Sequence, residues 1–297
     1  MRSFVLLTLI SLAAAIAYAQ QNSNDWKPVE DALGRKGSMQ PGDVYKFSMP
    51  RSDLKVSVQG TAVKPGLALG SWVAFKRVGE DTVVMGDLVL LESEVGPVMQ
   101  KLQQGGIDQT ALHNHLLNET PRVMYMHISG SGEGPKLALA LKNALALTKT
   151  PPPTPAAGQP PDLGFDTAQV DQALGRSGKN NDGIYQFSIA RAEIIKDMDI
   201  DLPAAMGTAT AINFQPTGAG HAAISGDFVL RAKEVNPVIR ALIENGIAVT
   251  AIHSHMLTEE PPLYFMHFWA NDDAVKLARG LRVALDQTNS VRGSTAK

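Results

Sequence analysis

The chain repeats itself. Ala111-Leu-His-Asn-His-Leu-Leu-Asn-Glu119, followed by Pro121-Arg-Val-Met-Tyr-Met-His127, returns 140 residues later. The second copy reads Ala251-Ile-His-Ser-His-Met-Leu-Thr-Glu259, followed by Pro261-Pro-Leu-Tyr-Phe-Met-His267. Shorter matches extend the duplication. Ala32-Leu-Gly-Arg35 recurs as Ala173-Leu-Gly-Arg176, and Val44-Tyr-Lys-Phe-Ser48 as Ile184-Tyr-Gln-Phe-Ser188. Arg51 recurs as Arg191, Gly86-Asp87 as Gly226-Asp227, and Glu94-Val95 with Pro97-Val98 as Glu234-Val235 with Pro237-Val238. A period this long exceeds that of solenoid repeats and fits two tandem domains. Between them, residues 149–161 are rich in proline, as expected of an extended spacer. The expected division is 24–148 for the first repeat and 162–290 for the second.

The same order of elements is predicted in each half. In the first it is strands over 44–49, 72–78 and 82–91, a helix, strands over 107–115 and 122–129, and a helix over 135–147. Gly86 in the third strand marks a bulge or a close approach. Gly96 or Asn236 would cap the first helix, with Pro97 or Pro237 as its first residue. Gly105-Gly106 and Asn245-Gly246 would end it. Leu137, Leu141 and Leu145, repeated as Leu277, Leu281 and Leu285, give the last helix one apolar face. Asp272 and Asp273 stand where its N-cap belongs in the second copy. This order predicts an α+β class, each repeat a mostly antiparallel sheet with helices on one face.

Six of the seven histidines lie in the two repeated clusters. Strand alternation puts Gln109, Ala111, His113 and His115 on one face, and Val123, Tyr125 and His127 together on the next strand. If the two strands pair, His127 joins His113 and His115, and Glu119 at the bend can reach over them. The candidate metal ligands are therefore His113, His115, Glu119 and His127, with His253, His255, Glu259 and His267 in the second copy. Asp87 and Asp227 are candidate acceptors that orient an imidazole. Such donors suit a divalent transition metal: zinc, manganese, iron, nickel or copper. The chain has no cysteine, so thiolate ligands and disulfides are excluded. The alternative is a non-catalytic binding or scaffold protein whose His-x-His pairs are structural. Tyr125, Met126, Tyr264, Met266 and Trp269 read as core, and His221, which has no counterpart, as surface. Glu94 and Glu234 read as partners of a helix dipole.

The net charge of −2 offers no footprint for nucleic acid. Arg2, the apolar run 4–16 and Ala17-Tyr18-Ala19 read as a signal peptide over 1–19, cleaved after Ala19. That implies a periplasmic or secreted protein with no stable membrane anchor after cleavage. The repeats could then pack as an intramolecular pseudo-dimer. No nucleophile elbow, Walker loop or dinucleotide fingerprint occurs.

At Met85-Gly-Asp-Leu-Val-Leu, Glu94-Val-x-Pro-Val, Ala111-Leu-His-Asn-His and Met124-Tyr-Met-His127 the chain resembles the LppY/LpqO family of exported bacterial proteins, a tandem domain of unknown function. The resemblance implies export. The family takes its name from lipoproteins, whereas this chain has no cysteine to lipidate, so a soluble form is expected. His113-x-His115-x3-Glu119 also resembles the first metal motif of cupins. Here the third histidine follows the glutamate by only eight residues and the cupin glycines are missing, so this likeness concerns ligand chemistry and not fold.

Overall fold

The computed structural model describes residues 25–153 and 158–293. The expected signal peptide over 1–19 and linker residues 154–157 lie outside the described residues. The first repeat runs α1 (Lys27–Leu33), β1 (Ser38–Gln40), β2 (Val44–Pro50), β3 (Ser57–Val58), β4 (Thr61–Ala62), α2 (Pro65–Ala68), β5 (Gly70–Val78) and β6 (Asp81–Leu91). It continues through α3 (Glu92–Gln104), β7 (Asp108–His113), β8 (Glu119–Thr120), β9 (Val123–Gly132) and α4 (Gly134–Leu145). The second repeats this with α5 (Thr167–Leu174), β10 (Lys179–Asn181), β11 (Ile184–Ala190), β12 (Lys196–Asp197) and β13 (Ile200–Asp201). A 3-10 turn (Ala204–Met206), β14 (Ala209–Gly218), β15 (His221–Leu230), α6 (Ala232–Glu244), β16 (Ala248–His253), β17 (Tyr264–Asp273) and α7 (Ala274–Leu285) complete it.

Each repeat forms a six-stranded sheet, in the orders β1-β2-β5-β6-β9-β7 and β10-β11-β14-β15-β17-β16, and every pairing is antiparallel. Side-chain alternation divides each sheet into two faces. In the first repeat Phe47, Phe75, Leu88 and Met126 face the helices and meet Leu141 of α4. Phe187, Phe214, Phe228 and Met266 meet Leu281 of α7 in the second. The α+β class with helices on one face is therefore observed.

The other face of each sheet is buried by the opposite repeat. Residues of the β3–β4–α2 arm, including Leu67, cluster with Ile184, Ala223 and Trp269. The arm of the second repeat answers: Leu202 and Met206 cluster with Val44, Ala74 and Met85. Polar bonds fix the first arm in place. Gln215 Nε2 donates to Ala62 O at 2.6 Å, and its Oε1 accepts from Lys64 N at 2.7 Å. Burial on both faces is why β6 reads as a nearly unbroken apolar run rather than an alternating one.

Gly86 is a point of close approach and not a bulge, since the β5–β6 register runs through it unbroken. A Cβ there would stand 2.6 Å from Trp72 O, and at Gly226 2.0 Å from Ala211 O. The helix start is corrected. α3 begins at Glu92, so Gly96 and Pro97 fall inside it, as Pro237 falls inside α6. The reason is an acid–guanidinium clamp. Glu94 Oε2 accepts from Leu91 N at 2.9 Å and from Arg51 Nη1 at 2.8 Å. The same Arg51 Nη1 donates to Val89 O at 2.8 Å, tying helix start to strand end. Arg191, Glu234 and Val229 repeat the clamp. The glycine C-termini, the Asp273 cap on Lys276 N and the leucine face of the last helix match expectation. Tyr125, Met126, Met266 and Trp269 are buried and His221 is exposed, as expected. Tyr264 is exposed and is no part of the core: it is the first residue of β17, at the end of the row that Met266 and Phe268 continue into the core.

Candidate functional site: one histidine cluster between two sheets

Asp87 on β6 lies opposite His127 on β9, and His127 lies opposite Ala111 on β7. His113 is opposite Tyr125. Asp227, His267, Ala251, His253 and Phe265 repeat the pattern. β7 and β16 end at His113 and His253, and the chain turns so that His115 and His255 stay on the inner face. Those inner faces look at one another. Thr250 Oγ1 donates to His115 O at 2.6 Å across the seam.

The two clusters expected as separate sites are thereby brought into one. Their rings stack in three columns. Tyr125 lies on His115 at 3.4 Å between centroids, and His115 on His267 at 3.7 Å. Phe265 lies on His255 at 3.4 Å, and His255 on His127 at 3.6 Å. His113 faces His253 at 3.5 Å. The three closest imidazole–imidazole stacks thus each join one repeat to the other. Two sets of donor atoms lie within 4.8 Å of one another: His113, His253, His255 and His267, and His113, His115 and His127. His113 belongs to both.

Burial makes these rings poor bases. His115, His127 and His255 are held far below the usual imidazole range, first by burial and then by neighbouring imidazoles. His267 is pushed down to about 3 and His253 to about 4 by burial. The imidazoles are therefore neutral, the form that ligates metal. The Nε2 atoms of all six are buried without a hydrogen-bond partner, as are Asp87 Oδ1 and Asp227 Oδ1. Buried polar atoms are normally paired, so this group of unpartnered atoms between the two sheets stands out.

Asp87 Oδ2 lies 3.7 Å from His115 Nε2 and 3.9 Å from His127 Nε2, and Asp227 Oδ2 lies 3.5 Å from His255 Nε2. These acids face the same nitrogens that point into the centre. They stand among the donors, not behind the rings. Burial pushes the Asp87 carboxyl up to about 7, while Lys46 nearby pulls the other way. Burial and then the Asp87 charge hold the Asp227 carboxyl well above its ordinary range. Glu119 and Glu259 stand outside both donor sets. The backbone of Glu119 pairs with Val58 of the arm, and Glu259 Oε1 accepts from Leu263 N at 3.0 Å.

Sequence reasoning missed Lys46 and Trp72, whose ammonium and ring meet at 3.8 Å on the inner face. Lys46 Nζ also donates to Ala205 O of the opposite arm at 3.0 Å. The available signal was alternation, which puts Lys46 on the face of β2 opposite Phe47.

A fold of two facing α+β repeats with a shared imidazole cluster defines a class by architecture. The chain belongs to the family described as Domain of Unknown Function (DUF1259), whose model matches twice, at residues 27–147 and 168–287. No curated protein matches it. Among solved structures, the trimeric bacterial microcompartment shell protein PduB aligns with 13% identity and a TM-score of 0.22, over 86% of this chain and 96% of that one. EtuB from Clostridium kluyveri aligns with 9% identity and a TM-score of 0.20, over 84% and 90%. Neither bears on function.

Proposed function

We propose that the six histidines form one buried centre for divalent transition metal, to which both repeats contribute, in an exported protein of the LppY/LpqO type. The observation that carries this reading is the convergence of six unpartnered Nε2 atoms from His113, His115, His127, His253, His255 and His267. A purely structural cluster would satisfy such atoms with hydrogen bonds, because an unpaired buried acceptor costs roughly 1–3 kcal/mol. Neutral nitrogen donors with two carboxylates and no thiolate suit zinc, copper, nickel, iron or manganese. Asp87 and Asp227 are buried carboxyls beside the imidazoles, and a bound cation would favour their charged form. The repeats act here as an intramolecular pseudo-dimer, since neither His113 nor His253 lacks a partner ring from the other half.

A bound metal with an exchangeable position activates water or polarises an oxygen of a ligand. The test is thermal unfolding of the mature protein. Zinc should raise the melting temperature and excess chelator should reverse the rise, because ligand bound only to the native state stabilises it by mass action. If zinc, manganese and copper all leave the melting temperature unmoved, the cluster is structural and the reading fails.

A further inference from the structure

The two halves of the centre are not equivalent. His113 sits nearly as close to the second repeat's rings as to its own: it is 5.4 Å from His267 and 5.8 Å from His255, against 5.0 Å from His115 and 5.1 Å from His127. In return, the ring of His253 is 6.4 Å from His127. The donor sets differ likewise. Four imidazoles, including His113, gather around the second repeat, and only three around the first.

Tautomers are fixed unequally as well. His267 Nδ1–H donates to Gly226 O at 2.9 Å and His253 Nδ1–H to Ser254 O at 3.3 Å, so each presents Nε2 as a lone pair. Such outer bonds raise metal affinity by roughly 10–100-fold. The counterpart bonds at His127 and His113 are absent among the described residues, and both nitrogens of His113 are unpartnered. Charge adds a third difference. The first half carries Lys46 on its inner face, over the ring of Trp72, where the second half has neutral Gln186. A cation there opposes a second cation.

Resting on the metal reading above, we infer that the centre fills in order. The first ion enters His113, His253, His255 and His267, and a second, weaker position is left to His115, His127 and Asp87. A neutral imidazole offers one lone pair, so His113 serves the first ion and is lost to the second. The protein is thus a one-tight-site protein despite its duplicated ligands, and the second position keeps fewer protein donors, which leaves it open to exchangeable ligands.

Cobalt(II) titration of the intact protein tests this, with zinc equilibrium dialysis in parallel. The expected result is an intense visible d–d spectrum that saturates at one equivalent, then a weaker change at higher cobalt. After dialysis, about one zinc should remain in wild type and in His127→Ala, whereas His267→Ala, which removes a donor of the first position, should lose its zinc. A metal-free melting curve for each variant shows that it is folded, and the wild-type titration stands without them. Two ions binding with one affinity, or equal loss in His127→Ala and His267→Ala, overturns the order of filling while leaving the metal centre intact. No binding of either ion by wild type overturns both.

Discussion

The first half of the centre is built with Lys46, Trp72 and Tyr125, the second with Gln186, Ala211 and Phe265, although both carry His-x-His, a later histidine and an aspartate in the same register. The inner-sheet surroundings have diverged while the donors remain paired across the seam. Tyr125 and Phe265 show how. Each stacks on an imidazole at 3.4 Å, and only the tyrosine needs a polar partner, found at Ala68 O of its own arm at 2.8 Å. What the halves share is the donor geometry. What differs is charge and support around it, the differences on which the proposed order of filling rests.

The sharpest way to ask whether the repeats are energetically equivalent is the buried clamp. Arg51→Ala and Arg191→Ala each strand a buried carboxylate, Glu94 or Glu234, and each should cost about 3–5 kcal/mol in denaturant unfolding. A near-zero cost in one repeat would show that only the other holds its helix start this way. Acid acts on both halves at once. In the metal-free protein the six imidazoles are held below the value of about 6.5 they have when unfolded. The unfolded chain therefore takes up their protons first, and stability falls as the pH drops from about 6.5 toward the folded values of about 4 for His253 and about 3 for His267. Asp87, raised to about 7, works the other way, gaining stability on acidification below 7. Six imidazoles outweigh two carboxyls, so the net prediction is loss, read as a lower melting temperature at pH 5 than at pH 7.5.

Smaller effects separate the halves further. Gly86→Ala and Gly226→Ala should each cost about 1–3 kcal/mol by overpacking. Gly226→Ala should be the worse, because its Cβ would sit 2.0 Å from backbone against 2.6 Å. Equal costs would mean that β14 yields more readily than β5. Tyr125→Phe, which converts the first half to the chemistry of the second, should cost about 1 kcal/mol through the lost bond to Ala68 O. An unchanged melting temperature would make that bond dispensable.

Much of each repeat was legible in the sequence. The strand and helix order, the leucine face of the last helix and the placing of His113 with His127 follow from alternation and periodicity, which are local. The helix start was misread because Gly96-Pro97 looks like a cap. The true start depends on Arg51, 43 residues before Glu94, and such a bond leaves no local pattern. The arms were invisible for a related reason. β3, β4, β12 and β13 are two residues each, too short for a period, and their arms pack into clusters that draw residues from both repeats. The meeting of the two clusters follows from those arms. Glu119 and Glu259, chosen as ligands by spacing, fall outside both donor sets; Glu259 is bonded to Leu263 N, while Glu119 Oε1 is buried without a partner.

The most direct measurement is elemental analysis of the protein, purified without a histidine tag and dialysed after zinc loading, beside the double variant His113→Ala/His253→Ala. Those two rings face each other at 3.5 Å in the middle of the cluster. The account predicts a stoichiometric transition metal in the wild type and its loss in a double variant that still folds. Wild-type protein free of metal after loading with zinc, manganese and copper, or a double variant that keeps the full metal content, would contradict it.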